Sequence, residues 1–364
     1  MEINQAKELV IKAGHELVRS GLIARTWGNV SCRIDEHSFV ITPSGREYQT
    51  LTPDEIVEVK IKDLSYRGNI VPSSEMGIHR AVYQLRSSSN FVIHTHQVNA
   101  SAVSVAGLEY FKPLSYYSEL GDEVICAEYA LPGTKALCEN VTAALKKTQG
   151  NAVIMSNHGV LCFGESYDSA FRAAYQLEEA CREYIEKKVT KCCTSEIKEV
   201  EEITAVKDIK EVKDIDQKFT STLLKIESLL NDCKASGMQK IIRFCTHPDV
   251  VRFSKLGTDL KPLVDDFAQI VGTCIKTVEP DVDLITSALE SSSAVFVKDL
   301  GAICIGDIER DLDAVIMILC KNCTSYFTAS ALGNIDYIKP EECELMRKNY
   351  LEKYSLLSDA SRKS

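Results

Sequence analysis

Residues 91–96 read Phe-Val-Ile-His-Thr-His, and this run decides how the first half of the chain is interpreted. Its three apolar residues predict a short buried strand, with the two histidines at the strand end. Because alternate side chains of a strand point to the same face, the imidazoles of His94 and His96 can converge on one ion. The run therefore predicts part of a metal site.

A third histidine extends this prediction. His158 follows the apolar run 153–155 and precedes Gly159, which would let the backbone turn sharply at a strand end. Three histidines with an open fourth position are a recurrent arrangement of catalytic zinc. The alternative is that histidine occupies alternating strand positions by chance. The other histidines, to which we assign no metal, are His15, His37, His79 and His247.

Helical patterns and short apolar runs alternate over residues 1–187. Helices are predicted near 5–20 and 167–186, and strands near 38–41 and 91–94. This alternation is typical of an α/β domain.

The composition changes after this domain. From 188 to 217 the sequence is rich in lysine, glutamate and aspartate, with a β-branched residue at every third position over much of the segment. A period of three lags the helical turn of about 3.6 residues, so these side chains would not form one buried stripe. We interpret 188–217 as a charged linker, helical or not, to a second unit, 218–364.

The second unit contains an internal echo of the first. Residues 152–164 and 294–306 share their apolar pattern and the glycine that ends each run. Such self-similarity predicts a degenerate partial repeat of the same fold, with a structural or regulatory role. The metal histidines are replaced in this copy, where Leu300 aligns with His158 and Cys245 aligns with His94.

The overall composition restricts the class of protein. Hydrophobic residues make up 45% and charged residues 26% of the chain, which is ordinary for a globular protein. A net charge of −10 disfavours nucleic acid or an anionic membrane as a partner. No uninterrupted apolar stretch approaches the ~18 residues of a membrane span. The polar N-terminus differs from a signal peptide and the cysteines lie mainly in apolar runs, so we expect a cytoplasmic protein with reduced thiols.

Three loops of the first domain are suited to an anion. Ser73 and Ser74 precede a predicted helix at 76–85, whose first N–H groups and dipole favour phosphate oxygens. The loops 28–31 and 42–45 combine glycine with short hydrogen-bonding side chains. Ordinary helix capping and ordinary turn chemistry are the alternatives. Three such loops in the same half as the histidines favour an anion site.

The order of these motifs resembles that of the class II aldolase and adducin family over about residues 5–187. The resemblance is greatest to the sugar-phosphate aldolases, and it implies a three-layer α/β/α domain around a mostly antiparallel sheet. It also implies a homotetramer with active sites between subunits. The motifs are Gly-Asn-Val-Ser at 28–31, Ile-Thr-Pro-Ser-Gly at 41–45, Pro-Ser-Ser-Glu at 72–75, His-Thr-His at 94–96 and Asn-His-Gly at 157–159.

The resemblance also implies a role for the matching residues. His94, His96 and His158 would bind Zn²⁺. Glu75 would be the catalytic acid/base, able to coordinate the zinc when substrate is absent. The substrate phosphate would be surrounded by Gly28, Asn29, Ser44, Gly45, Ser73 and Ser74.

The activity implied is zinc-dependent cleavage of a ketose 1-phosphate to dihydroxyacetone phosphate and an aldehyde. Family aldolases use a tyrosine of a neighbouring subunit as proton donor, and Tyr116, Tyr117 or neither is its counterpart here. A pentulose-phosphate 4-epimerase is the alternative within the family, although such enzymes usually carry Asp where this chain has Glu75. A decarboxylase or dehydratase with the same metal, and a non-catalytic scaffold like adducin, also stay open.

Overall fold

An eight-stranded sheet lies in the first half of the chain. The computed structural model describes residues 1–23, 27–196, 231 and 240–354, without the side chains of 189–196 and 353–354. The strands are β1 (Asn29–Arg33), β2 (Ser38–Ile41), β3 (Val57–Lys60), β4 (Phe91–Thr95), β5 (Tyr110–Phe111), β6 (Val124–Ala127), β7 (Ala152–Met155) and β8 (Val160–Gly164). Their order is β3-β2-β1-β4-β8-β7-β6-β5, and neighbours run antiparallel except for the parallel pair β6 and β7.

Helices cover both faces of this sheet. The helices of this half are α1 (Ile3–Arg19), α2 (Met76–Leu85), α3 (Val98–Ser104), α4 (Lys135–Lys147) and α5 (Tyr167–Glu196). In β4, Phe91 and Ile93 pack in the core formed with α1, α3 and α5, whereas Val92 packs in the core formed with α2 and α4. This alternation follows from the pleat of the strand. The predicted three-layer α/β/α domain with a mostly antiparallel sheet is confirmed.

The last helix of this half is longer than predicted. Helix α5 continues to Glu196, past the predicted end at 186, and includes the first residues of the segment interpreted as a linker. The rest of that segment, 197–217, lies outside the described residues. The division into 1–187, 188–217 and 218–364 therefore stays a prediction.

A second, four-stranded sheet lies in the C-terminal half. Its strands are β9 (Ile241–Cys245), β10 (Thr277–Val278), β11 (Ala294–Val297) and β12 (Gly301–Gly306), in the order β10-β11-β12-β9. The helices here are α6 (Pro248–Ser254), α7 (Asp265–Ile270), α8 (Val282–Leu289), α9 (Glu309–Leu332) and α10 (Pro340–Asn349). Helices α6, α7 and α9 share one core with this sheet, and α8 packs on the opposite face.

The two sheets share a pattern of four strands. The order β10-β11-β12-β9 corresponds to β6-β7-β8-β4 of the first sheet. In both sets the first pair is parallel and the other two pairs are antiparallel. The common pattern supports the degenerate repeat, which remains our proposal.

The strand register corrects one detail of the sequence alignment. His94 pairs with Leu161, and Phe244 pairs with Ile303. Because Leu161 and Ile303 match in the two runs of the echo, Phe244 occupies the position of His94. The alignment of Cys245 with His94 was therefore shifted by one residue.

Helix α9 is long and apolar enough to span a membrane by length and composition alone. Half of its apolar window is buried inside the protein, and Leu312, Ile318 and Leu319 belong to the core of the second sheet. Since a core helix passes the same test, this helix is weak evidence for a membrane.

Candidate metal centre and active site

The three histidines meet at one point. Nε2 of His94 lies 2.9 Å from Nε2 of His96 and 3.1 Å from Nε2 of His158. All three side chains are buried. A zinc ion about 2.0–2.1 Å from each of three nitrogens in tetrahedral geometry separates them by about 3.3 Å. The spacing of the three atoms is therefore close to what one metal ion requires.

The close packing of this cluster depends on Gly159. A Cβ atom at this position would lie 2.4 Å from the carbonyl oxygen of Thr95 and 3.0 Å from Cε1 of His94. The left-handed residue of the turn is instead Asn157, with φ 55°, a conformation that asparagine tolerates. Gly159 is thus needed for close approach, and the sharp turn expected there is made two residues earlier.

Hydrogen bonds at Nδ1 leave Nε2 of two histidines free to bind a metal. Nδ1 of His94 donates to the carbonyl oxygen of Val160 at 2.9 Å, and Nδ1 of His158 donates to the carboxylate of Asp265. A neutral imidazole with its proton at Nδ1 presents a lone pair at Nε2. Because such lone pairs converge here, the donor set fits a divalent cation.

Glu75 stands against the same cluster. Its Oε1 atom lies 3.0 Å from Nε2 of His158, and its Oε2 atom lies 3.3 Å from Nε2 of His94. The residue directly precedes α2 and is only 8% exposed. Both carboxylate oxygens thus face the point where the imidazoles converge.

A chain of buried hydrogen bonds fixes the carboxylate of Glu75 in place. Nδ2 of Asn29 donates to Oε2 of Glu75 at 2.8 Å, and Nε2 of His79 donates to Oδ1 of Asn29 at 2.5 Å. The hydroxyl of Ser31 donates to Nδ1 of His79 at 2.6 Å. Burial lowers the pKa of His79 to about 3, so this imidazole is neutral. Glu75 and His79 thus engage both ends of the Asn29 amide, and the predicted phosphate contact of Asn29 stays a prediction.

The sequence analysis assigned no metal to His79 and missed its hydrogen bond to Asn29. The available signal was its spacing, since His79 lies one helical turn after Glu75.

The charges of the cluster shift the pKa values of its members. Burial alone raises the pKa of Glu75, but the charges of His94 and His158 outweigh it and hold this pKa well below the usual range. Burial lowers the pKa of His94 well below its ordinary value. Burial acts in the same direction on His158, but the carboxylates of Asp265 and Glu75 raise its pKa to about 10. The carboxylates of Asp265 and Glu75 therefore favour a positive charge at His158, whereas burial disfavours one on His94.

A pocket connects the histidines with the predicted phosphate loops. Its lining includes Glu75, His96 and His158 of the cluster. The fold also brings all six predicted phosphate ligands into this lining, although they lie on three separate loops. They are Gly28, Asn29, Ser44, Gly45, Ser73 and Ser74.

The start of α2 differs from ordinary serine capping. Glu75 is the N-cap residue, and no side chain accepts a hydrogen bond there from the helix. The hydroxyl of Ser73 accepts a hydrogen bond from the N–H of Glu75 at 3.3 Å, while Ser74 is exposed at the pocket. The arrangement leaves the helix start facing the pocket, as an anion site requires. Phosphate binding by these residues stays a prediction.

The two candidate tyrosines lie outside this lining. Tyr116 is 91% exposed, and neither it nor Tyr117 lines the pocket. Tyr48 and Tyr350 line it instead, and the hydroxyl of Tyr48 donates to the carbonyl oxygen of Gly28 at 2.6 Å. The exposure of Tyr116 leaves it accessible to another subunit, so its predicted role there stays a prediction.

The C-terminal half forms part of the same pocket. Asp265 and Gln269 of α7, Arg310 of α9 and Tyr350 belong to its lining. The guanidinium of Arg310 pairs with the carboxylate of Glu47, with one contact at 2.6 Å. The sequence analysis missed these residues. A usable signal was the pair of adjacent aspartates at 265 and 266 within an otherwise apolar segment.

Comparison with known proteins identifies the family of this chain. The family model of the class II aldolase and adducin N-terminal domain matches residues 8–185. The L-fuculose phosphate aldolase of Escherichia coli K12 is 34% identical over 188 residues, which cover 51% of this chain and 85% of that protein. The chain therefore belongs to the class II aldolase and adducin family.

Two other similar proteins carry related names. An L-ribulose-5-phosphate 4-epimerase of Salmonella paratyphi B is 30% identical over 192 residues, which cover 50% of this chain and 84% of that protein. A solved structure of L-fuculose 1-phosphate aldolase is 29% identical, with a TM-score of 0.46, and the match covers 59% of this chain and 96% of that chain. The named relatives are enzymes, aldolases and an epimerase, whose names refer to sugar phosphates.

Proposed function

We propose that this protein is a zinc-dependent aldolase that cleaves a ketose 1-phosphate to dihydroxyacetone phosphate and an aldehyde. The convergence of three imidazole Nε2 atoms beside the buried carboxylate of Glu75 carries this proposal. The similarity to L-fuculose phosphate aldolase supports it. A non-catalytic scaffold like adducin would be expected to lack the metal-binding histidines. All three are present in this chain, which favours an enzyme.

His94, His96 and His158 would hold the zinc ion, joined by Glu75 when substrate is absent. When bound, the ion supplies Lewis-acid stabilisation of the negative charge that develops as the carbon–carbon bond breaks. Glu75 moves a proton to and from the carbon next to the ketone. Asn29 holds one carboxylate oxygen at 2.8 Å, which orients the other oxygen for this transfer.

The substrate phosphate would lie at the start of α2. Backbone N–H groups of the glycine loops and the hydroxyls of Ser44, Ser73 and Ser74 supply hydrogen-bond donors around the pocket. Arg310 is the one lysine or arginine among the described lining residues, and a phosphate would compete with Glu47 for its guanidinium. Its guanidinium suits a phosphate dianion.

We also propose that the protein is cytoplasmic and forms a homotetramer. In this tetramer Tyr116 would be the proton donor in the active site of a neighbouring subunit. The described cysteines are free thiols, which is typical of a reducing compartment. The exposure of Tyr116 is compatible with a contribution across a subunit contact.

The second candidate is a pentulose-phosphate 4-epimerase, which the similarity to L-ribulose-5-phosphate 4-epimerase favours. A panel of ketose 1-phosphates and pentulose 5-phosphates separates the two functions. We expect release of dihydroxyacetone phosphate from at least one ketose 1-phosphate. Interconversion of pentulose phosphates without release of a triose phosphate would instead establish the epimerase.

A further inference from the structure

A second cluster of buried charges lies next to the proposed zinc site. Asp265 and Asp266 begin α7, and Lys321 belongs to α9, so all three come from the C-terminal half. Each is almost completely buried. Burying a charge is costly unless it is paired, so the partners of these groups indicate their role.

The two aspartates face the outer nitrogens of two metal histidines. Asp265 accepts a hydrogen bond from Nδ1 of His158. Oδ2 of Asp266 lies 3.5 Å from Nδ1 of His96, and Oδ1 of Asp265 lies 3.9 Å from the same nitrogen. A carboxylate behind a metal-binding histidine fixes the tautomer and the orientation of the ring.

Lys321 completes this arrangement. Its ammonium pairs with the carboxylate of Asp266 and lies 3.5 Å from the carbonyl oxygen of His96. The ligand atoms of His96, Asp265 and Asp266 are close enough to hold a metal of their own. Because the ammonium already neutralises Asp266, this cluster does not require a second metal cation.

The segment that carries the aspartates is fixed to the turn beside His158. Nδ2 of Asn157 donates to the carbonyl oxygen of Leu263 at 2.9 Å, and the N–H of Asp265 donates to the carbonyl oxygen of Asn157 at 3.0 Å. In the first unit the run Lys-Pro-Leu precedes the exposed Tyr116, whereas in the second the same run precedes the buried Asp265. The second unit therefore directs this segment into the metal site of the first.

We propose that Asp265 and Asp266, the latter neutralised by Lys321, are positioning residues that hold His158 and His96 for metal binding. The C-terminal half then contributes to metal binding, because it supplies the carboxylates that orient two of the histidines. This inference rests on the proposed zinc site.

Zinc affinity of the full-length protein tests the proposal, measured by competition with a chelating dye. Asp265→Asn is expected to weaken zinc binding by about 10–100-fold, the range found for such outer partners. The absorption spectrum of the cobalt-substituted protein should change as well, since the ligand geometry changes. Asp266→Asn should shift both readouts in the same direction.

Asp249→Asn is the matched control, because Asp249 pairs with the hydroxyl of Thr324 at 2.7 Å in the same half and away from the metal site. This control should bind zinc as the unchanged protein does. If Asp265→Asn fails to fold, Asp265→Glu, which keeps the charge but moves it, should still weaken zinc binding.

The outcomes separate this inference from the proposed function. One zinc per chain in the unchanged protein, with undiminished affinity and an unaltered cobalt spectrum in Asp265→Asn, overturns the inference alone. Two zinc ions per chain overturn the role given to Lys321. No zinc in the unchanged protein after supplementation overturns the proposed function as well.

Discussion

The two sheets of this protein share strand order but differ in what their matching hairpins carry. Both hairpin turns contain a left-handed residue, Asn157 in the first unit and Asp299 in the second. The next residue is His158 in the first turn and Leu300 in the second. The backbone pattern is thus the same, while the metal-binding side chain is present in one unit and absent from the other. Metal binding therefore depends on a few side chains that the fold can hold but does not require.

The largest effect is expected from giving the first unit the residue of the second. His158→Leu removes one of three zinc ligands and leaves Asp265 buried without its partner, so bound zinc and activity should both be lost. Metal analysis of the purified protein and an aldolase assay check this outcome. The reverse change, Leu300→His, should leave one zinc per chain and full activity. Retained zinc in His158→Leu would show that this side chain is not what distinguishes the two units in metal binding.

Glu75→Gln tests the carboxylate that accompanies the histidines. Removing the proton-transfer group should lower kcat by about 10²–10⁴-fold, the usual contribution of general acid–base catalysis. The three imidazoles remain, so zinc should stay bound. Glu58→Gln, a change on β3 away from the pocket, is the control and should keep normal turnover. Unchanged kcat in Glu75→Gln would exclude its assigned role.

Lys321→Met tests the contribution of the second unit to stability. Removing the ammonium leaves Asp266 buried without its neutralising partner, which should reduce the free energy of unfolding by about 3–5 kcal/mol. Urea denaturation of the zinc-free protein measures this change. The control is Lys298→Met, which breaks the exposed pair with Glu279 and should have a much smaller effect. Equal decreases in the free energy of unfolding of the two variants would contradict the claim that Lys321 neutralises the buried Asp266.

His79→Gln tests the hydrogen-bond chain behind Glu75. The change should lower kcat by about 10-fold, at the low end for residues that orient an active-site group. Zinc affinity should not change, because His79 touches Asn29 and not the metal histidines. The exposed His37→Gln is the control. A loss of zinc together with activity would show that His79 supports the fold of the site as a whole.

Arg310→Met should have the smallest effect. An ion pair between this partly exposed guanidinium and the substrate phosphate would contribute about 0.2–1 kcal/mol to binding. Its loss should therefore raise KM a few-fold and leave kcat unchanged. The increase should diminish at high salt, since exposed charges are screened. Arg243→Met, which removes an exposed guanidinium paired with Asp313, is the control. A fall in kcat instead of a rise in KM would mean that Arg310 does not act through substrate binding.

Local patterns allowed much of this fold and site to be predicted from the sequence. The strand at 91–95 follows from its apolar run, and its pleat places His94 and His96 together. The contact between His158 and Asp265 joins residues more than one hundred positions apart, and no local pattern encodes it. The spacing of His79 and Glu75 places both side chains on one side of α2, but the contact of His79 with Asn29 could not be predicted, because it depends on how β1 packs against α2. The end of α5 was misjudged because a charged helix lacks the apolar stripe that marks a packed one.

Anomalous diffraction from zinc-loaded crystals, collected at the zinc absorption edge, locates the metal directly. We expect one strong peak per chain, within bonding distance of Nε2 of His94, His96 and His158. A peak among His96, Asp265 and Asp266 instead, or no peak at either place in zinc-supplemented protein, would show that the three histidines do not form the zinc site.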